Sequence, residues 1–127
     1  MSTRHHKDRG SAIVDFVLVA PILIAVALAV LQVILVMHVR IVLTSAAAEG
    51  ARAASLAGAD PRAGQRRAQA IIDETIASGS VESITVRRES WGRTSIIALE
   101  IDARLPLLGL LGPSALRVTG HSLQEQA

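Results

Sequence analysis

The chain has 127 residues, half of them hydrophobic, with 13 basic side chains, 11 acidic side chains and no cysteine. Three basic residues and one acidic residue lie in positions 1–10, so the rest of the chain is balanced at 10 of each. This balance, with only Phe16 and Trp91 as aromatic residues, argues against a nucleic-acid-binding surface. The absence of cysteine excludes disulfides, thiol nucleophiles and thiolate metal sites.

The first predicted element is a membrane-spanning helix. Phe16 to Val39 is a run of 24 residues without a formal charge. As a helix it extends about 36 Å, enough to cross a hydrocarbon core of about 30 Å. The run has no polar face, which disfavours a helix lying flat on the membrane. Pro21 leaves the carbonyl of Val17 without its usual helical donor, which is compatible with a kink or with a simply tolerated membrane proline.

The basic residues around this run suggest its orientation. Three precede it and two follow it closely: Arg4, Lys7 and Arg9, then Arg40 and Arg52. The positive-inside rule therefore favours a cytoplasmic N-terminus and an extracytoplasmic C-terminal domain.

The helix is expected to leave the membrane as a stem through the alanine-rich segment 44–55, with Gly50 as its weak point. The small side chains of the stem would let other helices approach closely. Asp60 and Pro61 then suit the cap and first position of a second helix at about 61–78, which Gly64 would weaken. Its apolar face is predicted from the 3.6-residue period to hold Ala68, Ile71, Ile72, Thr75 and Ile76.

Further along the chain, the hydrophobic period changes to two residues, as in strands. Ile84 and Val86 indicate a short strand, residues 89–93 a hairpin connection, and residues 116–119 a third strand. The strongest strand pattern places apolar residues at alternate positions: Ile97, Leu99, Ile101, Ala103 and Leu105. The apolar loop from Leu105 to Pro113 is too short and too broken to span a membrane.

These elements predict a membrane-anchored α+β protein with a pilin-like order: a long helix with a stem, a second helix and a small antiparallel sheet. The expected segments are a basic leader at 1–10, the membrane helix and stem at 11–57, and a small extracytoplasmic domain at 58–127. The domain is small enough that its core needs cover from the stem, the membrane or neighbouring subunits, so association is expected.

The junction before the membrane helix carries a processing pattern. Gly10 is followed five positions later by Asp15 and then by Phe16. This pattern resembles the class III signal peptide of the type IV pilin superfamily, in which cleavage after glycine leaves the anchor on the mature protein. The resemblance implies cleavage between Gly10 and Ser11 by a prepilin peptidase. Asp15 stands where that family commonly has glutamate.

Two longer segments narrow the choice of family. Residues 15–21 and residues 47–54 resemble the two signatures of TadE-like pilus-assembly proteins, with Pro21 in the first and Glu49, Gly50, Ala51 and Arg52 in the second. The resemblance implies an inner-membrane structural protein of a tight-adherence (Flp-type) pilus, acting as a minor pilin or pseudopilin. Its implied partners are membrane lipid, prepilin peptidase and other pilus subunits.

The position of Asp15 also has a physical rationale. If cleavage exposes the α-amine of Ser11, Asp15 lies one helical turn later and can neutralise that amine in the same chain or in a neighbour. Alternatively, its carboxylate simply favours the positive end of the helix at the membrane interface. In the stem, Arg52 is placed either to pair with Glu49 or to remain solvated.

No residue pattern predicts an active site. The histidines are scattered and form no ligand cluster: His5, His6, His38 and His121. The sequence has no nucleophile motif and no glycine-rich phosphate loop, and Glu100 and Asp102 are explained by strand alternation. We therefore expect no enzyme activity, cofactor or metal.

Two alternatives remain from the sequence. One is an uncleaved single-pass accessory membrane protein. The other is a conventionally secreted binding protein, released after Ala46-Ala47-Ala48, which fits an A-x-A site. The hydrophobic run is much longer than a signal-peptide core of about 7–15 residues, which disfavours secretion.

Overall fold

The computed structural model describes residues 5–56, 58, 60–76, 79–105 and 114–124, with side chains from Arg9 onward except that of Ser114. It contains the predicted order of elements: two helices followed by three strands. Their bounds are α1 His5–Leu56, α2 Pro61–Thr75, β1 Val81–Trp91, β2 Thr94–Leu105 and β3 Ser114–Leu123. The chain divides into two compact units, Met1–Leu35 and Val36–Ala127. The α+β class with a long apolar N-terminal helix is confirmed.

The first unit consists of the N-terminal part of α1. The helix continues unbroken through Pro21. Every large apolar side chain between Ile13 and Leu35 is about half or more exposed, from 49% at Val19 to 72% at Phe16. Within the part of the chain that the structure describes, α1 is the one helix whose length and composition suit a membrane crossing.

In the second unit, α2 begins as its sequence predicts. The Asp60 side chain accepts a hydrogen bond of 3.0 Å from the backbone N–H of Arg62, and Pro61 occupies the first turn. The helix ends at Thr75, three residues earlier than expected. Ile76 adopts an extended backbone while its N–H still bonds to the carbonyl of Ile72, so the helical geometry stops there.

The three strands form an antiparallel sheet in the order β1-β2-β3. Ile84 faces Ile101, which in turn faces Val118 on β3. The predicted hairpin is present but tighter than residues 89–93. Trp91 pairs directly with Thr94, so only Gly92 and Arg93 form the turn, and Gly92 takes a positive φ of 61°.

One face of the sheet holds the core. The alternation predicted for β2 is confirmed, because Ile97, Leu99, Ile101, Ala103 and Leu105 are all buried. Two helical surfaces cover this face: residues 43–51 of α1, with the buried side chains of Leu43, Ala46, Ala47 and Ala51, and α2, with Ala68 and Ile72. The stem thus supplies cover that so small a domain needs. Positions 106–113 of the predicted apolar loop lie outside the described residues.

Candidate functional site

The predicted cleavage point lies inside α1, because the helix already begins at His5. Gly10 is exposed, and a methyl group placed on it would meet no heavy atom within 4 Å. A glycine in a helix interior is about 1 kcal/mol less favourable than an alanine. The described part of the fold therefore gives no packing reason for a glycine at this position.

Ser11, Asp15 and Phe16 follow on the exposed surface of α1. Ser11 and Asp15 are four residues apart and so lie on the same side of the helix, as the processing hypothesis requires. Phe16 is 72% exposed. No hydrogen bond or ion pair joins Asp15 to any other side chain that the structure describes, so its carboxylate is available to a group outside these residues.

The second group of predicted residues sits in a different environment. Gly50 and Ala51 are buried where α1 packs against α2 and the sheet. A methyl group on Gly50 would lie 2.6 Å from Cδ1 of Leu99 and 2.9 Å from the carbonyl oxygen of Gly64. A methyl group on Gly64 would in turn lie 2.8 Å from the carbonyl oxygen of Gly50. The sequence predicts that these two glycines weaken their helices. In the structure, the backbones of the two helices approach each other at these glycines.

The stem also touches the sheet through small residues. Gly120 on β3 faces the backbone of Ala47, and any side chain at Gly120 would overlap the carbonyl group of Ala47 and the amide of Ala48. Gly120 lies opposite Leu99 in the sheet. The close approach predicted for the small stem residues is therefore made within this chain, to α2 and to β3.

The charged signature residues of the stem lie at its surface. Glu49 pairs with Arg67 of α2 at 3.9 Å, and both side chains are about half exposed, at 45% and 55%. Arg52 is exposed, and its carbonyl accepts a hydrogen bond of 2.8 Å from the hydroxyl of Ser55. Of the two alternatives for Arg52, the structure has the solvated one. Sequence reasoning missed Arg67 because its contact joins two separate helices.

A charged cluster occupies the outer face of the sheet. Nε of Arg117 donates to Asp102 at 2.7 Å and lies 3.4 Å from Glu100, while the Ser83 hydroxyl donates to Asp102 at 3.1 Å. The hydrogen bond from Arg117 is the main cause that lowers the pKa of Asp102 below its ordinary value, and the same bond raises the pKa of Arg117. Glu100 and Asp102 are thus cross-strand partners of a cation, in agreement with strand alternation.

Comparison with known proteins gives a match to a family model. The family model described as TadE-like protein matches residues 10–52, which begins at Gly10, ends at Arg52 and includes Pro21 and the stem residues Glu49 to Ala51. No curated protein and no solved structure matches the chain.

Proposed function

We propose, because this chain is TadE-like over residues 10–52, that it is a membrane-anchored component of tight-adherence pilus assembly whose leader is removed between Gly10 and Ser11. In this proposal a prepilin peptidase makes the cut, and the mature protein acts as a minor pilin or pseudopilin. It works by assembly with other pilus subunits, and it has no catalytic role of its own.

The observation that carries the proposal is the position of Gly10. The family match starts at this residue, yet its side-chain site is open and the surrounding fold does not require a glycine. A protease must open the helix to reach the peptide bond between residues 10 and 11. Glycine lowers the cost of that opening by about 1 kcal/mol relative to alanine. The sequence therefore accepts a weaker helix at the point where cleavage is proposed.

The product of this cleavage would place a new charge beside an existing one. The α-amine of Ser11 would become the first group of the helix, with Asp15 four residues later on the same side. An ion pair at the edge of hydrocarbon is more favourable than either charge alone, so the carboxylate supports the processed chain in the membrane or in a filament.

The secreted alternative conflicts with the core of the second unit. Cleavage after Ala48 would remove Leu43, Ala46 and Ala47, which are all fully buried. The inner face of the sheet would lose part of its cover, and apolar residues such as Leu99 would face water. An uncleaved anchor would keep these buried residues and so does not conflict with the core. The experiment below distinguishes it from the proposal.

The test is the N-terminal residue and cellular fraction of the full chain expressed together with a prepilin peptidase. We expect a membrane-bound product that starts at Ser11. Gly10→Leu should keep its original N-terminus, whereas Ala25→Leu, which places the same side chain at another exposed site in α1, should be processed normally. A wild-type chain that keeps residues 1–10 would show an uncleaved anchor, and a product that begins at Glu49 in the medium would show secretion.

The assembly role has a separate test in Asp15→Asn, which keeps the size of the side chain and removes its charge. We expect this variant to be membrane-bound but to co-purify with fewer pilus subunits than wild type. Normal recovery of pilus subunits with the variant would contradict an assembly role for the carboxylate and favour its simple helix-end role.

A further inference from the structure

An open groove runs between α2 and the outer edge of the sheet. Its volume is about 410 Å³, and its walls are Gln65, Arg66 and Gln69 of α2 and residues 81–84 of β1. β1 is an edge strand, because it pairs with β2 on one side only. The groove and this strand edge lie within the second unit and take no part in the proposed cleavage of the leader.

The backbone of β1 turns hydrogen-bonding groups toward this free edge. In an antiparallel strand, successive residues point their N–H and C=O groups to opposite sides. The carbonyl of Ser95 accepts from the N–H of Gln124, at the end of β3, so Ser95 does not bond to Ser90, its opposite residue on β1. The backbone of Ser90 therefore points outward. By alternation, the other outward-pointing residues of this part of β1 are Ile84, Val86 and Arg88.

One of these outward groups is already bound by an amide. Nε2 of Gln65 donates a hydrogen bond of 3.1 Å to the carbonyl oxygen of Ile84. The N–H of an added strand would donate the same kind of bond. For the outward groups of Val86 and Arg88, the described part of the chain contains no such partner. The edge of β1 is therefore accessible from the groove and unpaired toward the hairpin.

The first turns of α2 bring arginines to this unpaired part of the edge. Arg66 lines the groove, and Arg62 lies one turn earlier on the same side of the helix. Gly64, between them, faces the row of the sheet that contains Val86. Arg88 is the next residue of β1 on that face, and its side chain is exposed. Three guanidinium groups thus border the unpaired backbone.

These three arginines have no carboxylate partner among the residues that the structure describes. The ion pairs there use other arginines: Arg67, Arg104 and Arg117. Glu82 in the groove wall is itself paired with Arg104 at 2.7 Å. A partner that enters the groove therefore meets uncompensated positive charge and an unpaired strand edge together.

We propose that this edge binds an extended acidic segment of another protein, which pairs with residues 84–90 of β1 as a fourth strand. The backbone groups select an extended peptide, and the guanidinium groups select carboxylates at the alternate positions that face the helices. The edge strands of a second copy of this chain do not meet the charge requirement. β1 carries two acidic and two basic residues, and β3 has one arginine and no acidic residue.

The experiment measures binding of short labelled peptides to the full chain in detergent micelles by fluorescence anisotropy. A peptide that alternates glutamate and valine should bind, and one that alternates lysine and valine should not. A peptide that alternates glutamate and proline keeps the charge but lacks every second N–H. It should bind roughly tenfold more weakly, because two or more hydrogen bonds to the edge are lost.

Variants of the chain locate the site. Arg66→Gln and Arg88→Gln should each weaken binding of the glutamate–valine peptide about two- to fivefold, since each removes one exposed ion pair. Arg52→Gln is the matched control and should bind normally. Arg52 is also exposed and without an ion pair in the described chain, but it lies about 200° around α1 from Gly50, which faces α2.

A proline at position 88 separates the backbone contribution from the charge. Arg88→Pro removes the outward N–H as well as the guanidinium group and breaks no bond to β2, so it should bind more weakly than Arg88→Gln. Equal affinities of these two variants would contradict strand pairing, and so would equal losses in Arg52→Gln and Arg66→Gln.

Amide hydrogen exchange of the unsubstituted chain gives a readout that needs no variant. The N–H groups of Val86 and Arg88 should exchange fast in the chain alone and slowly with the glutamate–valine peptide. The N–H of Thr119, at the outer edge of β3, should not change. Slow exchange of Val86 and Arg88 before peptide is added would overturn the proposal, because the chain itself or a second copy would already occupy the edge.

The remaining outcomes distinguish strand pairing from simple capture of anions. Equal binding of the two glutamate peptides, or equally tight binding of inorganic polyphosphate, would overturn the proposal, since neither the glutamate–proline peptide nor polyphosphate can pair fully with a strand. Binding of the lysine–valine peptide would overturn the charge requirement. None of these results changes the N-terminal residue of the mature chain, so the proposed function is tested separately.

Discussion

The two ends of the TadE-like segment differ in what surrounds them. At its beginning, residues 10–35 expose Gly10, Asp15 and a continuous apolar surface. At its end, Gly50 and Ala51 are enclosed by α2 and β2. Both ends fall in one helix and in one family match. The second end serves the chain's own fold, and the first is the part to which the proposed function assigns partners outside the chain.

Glycine illustrates the difference most clearly. Gly10 has open space where its side chain would be, whereas Gly50 has the backbone of α2 and the side chain of Leu99 there. A glycine in a family pattern can therefore lie either at a close contact within the fold or at a position where the described fold does not require it. Only the surrounding structure separates these two meanings.

The largest expected effect in this comparison comes from truncating one leucine at each end. Leu99→Ala should lower the free energy of unfolding of the second unit by about 2–5 kcal/mol, because Leu99 is fully buried at the centre of the core. Leu28→Ala should leave that free energy unchanged, since Leu28 is 55% exposed in the first unit. Amide hydrogen exchange of β2 in the full chain, held in nanodiscs, measures both. Equal losses would show that the apolar run supports the domain directly.

Alanine substitutions at Gly50 and Gly10 should change stability by smaller amounts, and in opposite directions at the two positions. Gly50→Ala inserts a methyl group 2.6 Å from Leu99 and 2.9 Å from the carbonyl of Gly64, a type of overpacking that costs about 1–3 kcal/mol. The better helix propensity of alanine returns up to about 1 kcal/mol, so a net loss remains. Gly10→Ala receives the gain without the clash and should raise local helix stability. Exchange rates of the amides near each site report both changes, and a stabilising Gly50→Ala would contradict the close helix contact.

The sequence predicted the elements whose signals are local. Asp60 and Pro61 located the start of α2, and the alternation from Ile97 to Leu105 identified both β2 and its buried face. The apolar run is likewise readable from composition, because it needs no partner in the chain. These features depend on neighbouring residues or on a short period, which a single sequence displays directly.

What the sequence did not show depends on contacts between distant residues. The sequence alone indicates only that Gly50 weakens its helix, because Gly64, whose backbone lies against it, is on another helix. The pair of Glu49 with Arg67 could not be separated from a pair with Arg52 by spacing alone. Gly120 in the third strand was the one available signal, since a glycine inside a strand often marks the close approach of another backbone. The strand β1 also runs through Glu89 and Ser90, where cross-strand pairing overrides turn-like residues.

The charged cluster on the outer face of the sheet predicts a small loss of stability of the second unit in acid. The pKa of Asp102 is held below its ordinary value of 3.8 in the folded state, mainly by the hydrogen bond from Arg117. As the pH falls through this region the unfolded chain takes up the proton first, so the second unit loses stability below about pH 3.8 and keeps it above. Asp102→Asn and Arg117→Met should each flatten this part of an acid unfolding curve. An unchanged curve in both variants would show that the cluster does not contribute.

The smallest effect concerns Glu49, and it tests whether every residue of the stem pattern serves the fold. Its pair with Arg67 is long, at 3.9 Å, and both partners are about half exposed. Exposed pairs contribute at most about 1 kcal/mol, so Glu49→Gln should unfold almost like wild type. Arg67→Gln and the double variant complete a thermodynamic cycle that isolates the pair. If Glu49→Gln folds normally but recovers fewer pilus subunits, the carboxylate joins Asp15 among the groups proposed to act on partners. A large loss of stability would instead place it with Gly50, and the division between the two ends of the segment would then fall before residue 49.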